Sequence, residues 1–267
     1  MSSQPALPIT RASPFQLIAD AAEPFALIPA QCTCSPKRDA PCGTDTPPLK
    51  EKPPKPIGER VIGPLGALFD LMQGFVPLWE QGHQLFWSFD SSFDRLFVNP
   101  EAAKNKFAEL FDRALSLWQF NPIQVVYSPA GSDFRIVQKP SDECTASGCV
   151  LASAFFPDGG RHELNLFPIL WRHGDDDDIV NTLVHEIGHI WGLRHWFALS
   201  KEPNAASFPF RHDPNNLQSI MNYGENSILT EKDKTDLREF YQYVWENRSL
   251  PGHSDKQVRL FRPFHQA

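Results

Sequence analysis

A short segment past the middle of the chain carries residue types that bind and use a metal ion. His185 and His189 are four residues apart, so on a helix both imidazoles project from one face and can share a cation. Glu186 lies one position round, where its carboxylate can accept a proton from a bound water. Gly192 can adopt a positive φ, end the helix and turn the chain so that His195 becomes a third ligand. Three nitrogen ligands with an open fourth position are typical of a catalytic zinc site.

Two helices are predicted from capping residues and charge. The acidic run 175–178 precedes the histidine segment, and its charges complement the positive end of a helix dipole. We therefore predict a helix that begins at Ile179 with Asp178 as its cap. A second helix is predicted from Asn99-Pro100 to about Gln119, because a capping residue followed by proline is typical of a first helical turn.

A third helix is predicted from Thr230 onwards, since Asp233 completes a variant capping box with it. Short β-rich runs before and between these helices predict strands near residues 85–89, 123–127, 134–137, 149–156 and 163–167.

The segment from His185 to His195 resembles the long motif HExxHxxGxxH of the metzincin zinc endopeptidases. Residues 219–223 are similar to the methionine turn of that group, in which Met221 would form a hydrophobic base under the three histidines. The resemblance implies an α+β, metzincin-like zincin fold with a twisted mixed β-sheet, an active-site helix and a C-terminal helix, and a cleft between an upper and a lower lobe. Within the group, residues 150–171 and 229–241 look most like the matrixin (matrix metalloproteinase-like) branch.

Two residues depart from the matrixin pattern. Trp196 follows the third histidine where matrixins usually have an aspartate, which leaves the subfamily open. Tyr223 is more like the tyrosine of astacins and serralysins that stabilises the oxyanion, and in this chain it either does so or simply packs.

The resemblance implies one catalytic zinc ion. No acidic cluster for calcium is recognisable in residues 162–171. His162 and His173 would either bind a second zinc ion or be plain surface histidines, and we expect the latter.

The activity implied by the resemblance is hydrolysis of peptide bonds, with Glu186 as general base and then general acid. A protein or peptide substrate would bind in extended form along the sheet edge near residues 151–156. The loop 198–217 would shape the pocket beyond the scissile bond, and Phe208, Phe210 and His212 in it suggest a preference for apolar side chains. The alternative is a non-catalytic zinc-binding or adaptor protein on the same fold, with a proline-rich interaction arm, although the intact Glu186 favours the enzyme.

The distribution of proline predicts the domain organisation. Of the 25 prolines, 13 lie in the first 64 residues, and proline removes backbone donors and fixes φ. We predict a disordered arm at 1–60, a partly helical, apolar connecting segment at 61–82, the metallopeptidase domain at 83–248 and a C-terminal tail at 249–267.

The cysteines leave two questions open. Cys42, in Pro41-Cys42-Gly43-Thr44-Asp45, partly resembles the thiol that keeps matrixin zymogens latent, but it is otherwise a disulfide partner or an inert thiol. Cys144 and Cys149 flank a short loop in which a disulfide is geometrically allowed.

Composition excludes other classes of function. The net charge is −7 without a basic block, which argues against nucleic-acid binding. The longest apolar run, 61–79, is interrupted by Asp70, Gln73 and Pro77, so no membrane span is expected. No secretory signal is visible near the N-terminus. An extracellular location is implied by the family resemblance alone, and a monomer is expected.

Overall fold

The computed structural model describes residues 24–28, 67–71, 74–145, 148–202, 207–211, 218–252 and 257–264. The strands in this part of the chain are β1 Ala67–Asp70, β2 Phe75–Trp79, β3 Gln84–Phe89, β4 Gln124–Tyr127, β5 Phe134–Gln138, β6 Cys144–Thr145, β7 Gly148–Cys149, β8 Ala152–Ser153, β9 Glu163–Leu166, β10 Ser207–Phe210 and β11 Gln257–Phe261. The helices are α1 Ser92–Leu96, α2 Pro100–Leu117, α3 Pro168–His173, α4 Asp176–Ile190, α5 Ala198–Lys201 and α6 Glu231–Asn247, with a 3-10 turn at Gly224–Asn226. The long helices α2, α4 and α6 bury their apolar faces in the core.

A five-stranded sheet organises the upper half of the fold, in the strand order β4-β3-β5-β9-β8. Four of its strands run parallel, and the short outer strand β8 is antiparallel to β9. The predicted α+β class, with a mixed sheet, a helix that carries the histidines and a C-terminal helix, is confirmed.

The core joins this sheet to α2 and α4. Trp87 on β3 packs edge-on against Phe107 and Phe111 of α2, with ring centroids 6.1 and 5.4 Å apart. The indole N–H of Trp118, which follows α2, donates to the carbonyl of Val184 on α4 over 3.1 Å. Helix α4, which carries two of the histidines, is therefore held against the end of α2.

The helix starts are set by side-chain caps. Asn99 caps α2 through the N–H of Ala102, as predicted. Helix α4 begins at Asp176 rather than Ile179, because Asp175, and not Asp178, accepts the backbone N–H groups of residues 177 and 178. The first acidic residue of the run caps, and the later ones form the first turn.

The predicted segment 61–82 is not helical where the structure describes it. It contributes β1 and β2, because β1 pairs with β10 and β2 pairs with the C-terminal strand β11. Phe69, Val76, Leu78 and Trp79 in these strands are fully buried. The core thus extends beyond the predicted bounds of 83 and 248 at both ends.

Part of the predicted arm also contacts the domain. Residues 24–28 lie against α1 and the following turn, with Ile28 N–H donating to Leu96 O and Val98 N–H to Ala26 O, both over 2.8 Å. Phe25 stacks on Trp171 with ring centroids 4.0 Å apart. The rest of the predicted arm, 1–23 and 29–60, lies outside the described residues.

Two further sequence expectations concern the region beside β8. A disulfide joins Cys144 and Cys149 and closes the β6–β7 hairpin. His162 is buried rather than exposed, because it stacks on Phe155 and lies beside Trp79 and Phe264. The expectation of a surface histidine is therefore wrong for His162.

In the part of the chain that the structure describes, no helix is both long and apolar enough to cross a bilayer.

Candidate metal centre

The three predicted histidine ligands converge in the structure. His185 and His189 project from α4, and His195 follows the turn at Gly192, whose φ is +89°. One ring nitrogen from each histidine lies within 4.8 Å of the other two, and no second cluster of this kind occurs among the described residues.

Each histidine is oriented through its Nδ1 atom. His185 Nδ1 donates to the carbonyl of Ile220 and His189 Nδ1 to the carbonyl of Leu193, both over 2.7 Å. His195 Nδ1 donates to the carboxylate of Glu202 over 2.5 Å. Because carbonyl and carboxylate oxygens only accept, the Nδ1 atoms carry the protons and the Nε2 lone pairs face the centre.

This arrangement fits a cation. The Nε2 atoms of His189 and His195 are 3.2 Å apart, and two lone pairs at that distance repel each other unless a positive charge lies between them. A tetrahedral zinc ion with nitrogens about 2.0–2.1 Å away would separate two of them by about 3.3–3.4 Å. Burial also lowers the pKa of His185 to about 4 and that of His189 well below its usual value, so both rings stay neutral as ligation requires.

Glu186 lies beside the histidines with its side chain buried. Burial raises the pKa of this carboxyl to about 8, although a hydrogen bond from the backbone of Ala154 opposes the shift. Among the described residues, nothing hydrogen-bonds its Oε2 atom. A buried carboxyl with one unpartnered oxygen is available to exchange a proton with a molecule in the centre.

The side chain of Met221 packs against α4 at Gly188. A Cβ atom added at Gly188 would lie 2.4 Å from the Met221 sulfur, so the glycine between the two helical histidines admits this side chain. The backbone carbonyl of Met221 also accepts the N–H of Trp196 over 2.8 Å, which ties the residue after the third histidine to the turn at residues 219–222.

Helix α6 anchors the same turn. Asp233, besides forming the predicted capping box with Thr230, accepts hydrogen bonds from the Ser219 hydroxyl over 2.7 Å and the Ile220 N–H over 3.2 Å. Since the Ile220 carbonyl orients His185, the cap of α6 supports a histidine more than 40 residues earlier in the sequence.

Aromatic rings surround the centre. Tyr223 is 57% exposed, and its hydroxyl donates to Nε2 of His195 over 2.8 Å. Although the residue as a whole is exposed, desolvation of its hydroxyl and the nearby carboxyls of Glu186 and Glu202 raise the pKa of Tyr223 to about 12, so the phenol stays a donor at neutral pH. Phe197 stacks on His195 and Phe156 meets His189 edge-on, with ring centroids 5.0 and 5.4 Å apart. The hydroxyl of Tyr223 therefore lies beside the histidine cluster, and both alternatives for its role stay predictions.

Sequence reasoning missed Glu202. It accepts from His195 through Oε1 and from Arg194 through Oε2, and Arg194 also donates to Asp70 on β1. The pKa of Glu202 is lowered, because the hydrogen bonds from His195 and Arg194 outweigh the effect of its burial. The sequence shows only an isolated acid seven residues after His195, with no spacing that relates it to the ligand.

Several other residues were predicted from the sequence to lie near the centre. Phe208 and Phe210 are buried and pack on Phe240 in the core, so the expectation that they shape a pocket is wrong. Cys42 lies outside the described residues, as does the backbone of 212–217, and the side chain of His173 is not described. Latency through Cys42 therefore stays a prediction.

Comparisons with known proteins find only distant similarity. No protein-family model and no curated protein matches the sequence. Among solved structures, myroilysin is similar with a TM-score of 0.43 and 16% identity over 66% of this chain and 98% of that chain. High choriolytic enzyme 1, a hatching enzyme zinc-protease from Oryzias latipes (medaka fish), is similar with a TM-score of 0.38 and 16% identity over 62% of this chain and 94% of that chain. Similarity this distant assigns no activity, and neither protein is named as a matrix metalloproteinase, so the matrixin branch gains no support.

Proposed function

We propose that the protein is a zinc-dependent endopeptidase. The observation that carries the proposal is the convergence of three Nε2 atoms, each on a ring held at Nδ1 by an acceptor, beside the buried carboxyl of Glu186. His185, His189 and His195 would be the metal ligands, Gly192 and Met221 their structural support. A bound zinc ion would act as a Lewis acid and lower the pKa of a bound water to about 7.

The residues around the centre have distinct tasks in this hydrolysis. Glu186 takes a proton from the attacking water and then gives it to the leaving amine as the carbon–nitrogen bond breaks. Its buried Oε2 atom has no hydrogen-bond partner among the described residues, so it is available to take that proton. Tyr223 keeps its phenolic proton and donates a hydrogen bond to the oxygen on which negative charge develops.

The substrate would be a protein or peptide bound in extended form. Strand β8 is the outer strand of the five-stranded sheet, and on its outer side no strand pairs with it among the described residues. The backbone of Ala154, directly after β8, contacts Glu186. A peptide that adds to this edge would therefore bring its carbonyl groups towards the acid–base residue.

The substitution Glu186→Ala tests the proposal. We expect the variant to bind one zinc ion per chain but to hydrolyse a peptide mixture at least 100-fold more slowly, because acid–base catalysis contributes about 10²–10⁴-fold. The substitution removes one unpartnered buried oxygen but also the acceptor of the Ala154 N–H, so the melting temperature is measured to show that the variant stays folded. Zinc analysis, peptide cleavage with and without a chelator, and a thermal melt measure the three quantities.

Glu246→Ala, which removes an exposed carboxylate on α6, serves as the control and should cleave at the wild-type rate. Zinc binding without any cleavage by the wild type would favour the non-catalytic alternative. Equal cleavage by wild type and Glu186→Ala would refute the role of Glu186.

A further inference from the structure

His195 differs from the other two histidines in how it is held. His185 and His189 belong to α4, and their Nδ1 atoms donate to neutral backbone carbonyls. His195 lies in the chain after the helix, and its Nδ1 atom donates to a carboxylate, that of Glu202. A ligand on a loop depends on its hydrogen-bond partner for orientation more than a ligand on a helix does.

Glu202 is itself held on both sides. The short helix α5 returns its backbone towards His195, because Ala198 N–H donates to His195 O and Glu202 N–H donates to Ala198 O, both over 2.9 Å. The two carboxylate oxygens have separate partners, Oε1 with His195 and Oε2 with Arg194, the latter over 2.7 Å. Each oxygen of the carboxylate therefore accepts a hydrogen bond from one of these two neighbours.

Arg194 links Glu202 to the N-terminal part of the fold. Its Nη1 atom donates to Asp70 over 2.9 Å, and its guanidinium lies over the ring of Phe156. Asp70, on β1, is buried, and its backbone N–H donates to the carbonyl of Gly192 over 2.9 Å. Both the backbone and the side chain of Asp70 thus fix the segment that leads to the third histidine.

We infer that Glu202 is a positioning residue for His195, held by a chain of alternating charges through Arg194 to Asp70. A carboxylate that accepts from Nδ1 fixes the tautomer of the ring and makes Nε2 a stronger ligand. Arg194 neutralises Glu202, and Asp70 neutralises Arg194, so that none of these partly buried charges lacks a counter-charge. A residue from the N-terminal region, before the predicted domain, is consequently part of the support of the metal centre. This inference rests on the proposed zinc site.

Metal affinity and the spectrum of bound Co²⁺ test the inference without measuring activity. Zinc affinity is measured by competition with a chromophoric chelator for the wild type, Glu202→Ala, Glu202→Gln, Asp70→Asn and the exposed control Glu246→Ala. We expect Glu202→Ala to weaken zinc binding by about 10–100-fold, as loss of a partner behind a ligand does. Glu202→Gln keeps an acceptor oxygen without the charge, so it should lose less zinc affinity than Glu202→Ala. Asp70→Asn should lose the least zinc affinity of the three. The Co²⁺ absorption of Glu202→Ala should change, while that of Glu246→Ala should match the wild type.

The outcomes separate the two proposals. If the wild type binds neither ion, the proposed function itself fails. If the wild type binds and Glu202→Ala binds within twofold with the same Co²⁺ spectrum, the zinc site stands and the inference about Glu202 is wrong. Thermal melting of the metal-free variants shows whether each one folds. If Glu202→Ala does not fold, Glu202→Gln is compared with Glu246→Ala instead, and zinc affinity within twofold together with the same Co²⁺ spectrum would again contradict the inference.

Discussion

At the scale of single residues, the contact between Gly188 and Met221 illustrates how the centre is built. Gly188 lies in the interior of α4, where alanine would favour the helix by about 1 kcal/mol. A Cβ atom there would nevertheless lie 2.4 Å from the sulfur and 3.3 Å from the terminal carbon of Met221. The glycine is required by a tertiary contact, against its helix propensity.

We predict that Gly188→Ala lowers the free energy of unfolding by about 1 kcal/mol, because overpacking costs about 1–3 kcal/mol and the gain in helix propensity offsets part of it. Urea unfolding measures the change. Gly160→Ala, at a glycine with open space around its missing Cβ, is the matched control and should be nearly neutral.

A double-mutant cycle identifies the clash as the cause. Met221→Ala alone should cost about 2–5 kcal/mol as a buried truncation. In its background Gly188→Ala should no longer destabilise, because the clashing sulfur is gone. Strictly additive effects of the two substitutions would contradict this explanation.

At the scale of elements, the end of α4 decides where the third histidine lies. The indole N–H of Trp79 donates to the carbonyl of Ile190 over 2.7 Å, and the Tyr241 hydroxyl donates to the carbonyl of Trp191 over 2.9 Å. These bonds satisfy carbonyls that a helix leaves unpaired at its C-terminus. Gly192 then turns the chain at φ +89° close to β2, where a Cβ atom would lie 3.2 Å from the carbonyl of Pro77.

We predict that Gly192→Ala destabilises the protein by more than Gly82→Ala. Both glycines have nearly the same φ, +89° and +87°, and a left-handed conformation costs alanine about 1–2 kcal/mol at either position. Only Gly192 faces a nearby backbone atom, since Gly82 has nothing within 4 Å of its missing Cβ. Urea unfolding compares the stabilities, and zinc affinity should fall for Gly192→Ala alone. Equal losses of stability in the two variants would show that the short distance between Gly192 and the Pro77 carbonyl does not affect the free energy of unfolding.

At the scale of the whole molecule, the strands outside the predicted domain belong to its core. Phe69, Val76, Leu78 and Trp79 are fully buried, and burying each such side chain contributes about 1.5–3 kcal/mol. Together they amount to about 6–12 kcal/mol, which is comparable with a typical net stability of about 5–15 kcal/mol. The docked residues 24–28 contribute less, mainly the stacking of Phe25 on Trp171.

We therefore predict that a chain lacking residues 1–82 does not fold, whereas a chain lacking residues 1–66 folds with a stability lower by about 1–3 kcal/mol. Circular dichroism and urea unfolding measure both. The second chain keeps β1 and β2 and is the control for the first. A cooperative unfolding transition of the chain that lacks residues 1–82 would mean that the core forms without β1 and β2.

Local spacing in the sequence was sufficient for the histidine segment and the helices around it, and the family resemblance of that segment indicated the α+β class. His185 and His189 meet because a helix turns once in about 3.6 residues, and Gly192 and the capping box at Thr230 act over a few neighbouring residues. These features depend on short-range geometry, which the order of residue types already contains.

Packing between distant segments decided the remainder. Phe156 and the Ile220 carbonyl contact the histidines, and Asp70 contacts Arg194, only because strands and loops that are far apart in the sequence come together around α4. Glu202 is near His195 in the sequence, but its contact with the ring depends on how α5 turns the chain. The same packing made strands of the segment predicted to be helical and moved Phe208 and Phe210 from an expected pocket into the core. Such partners carry no periodic signal, because a hydrogen bond or a ring contact depends on where the backbone of each segment lies in space.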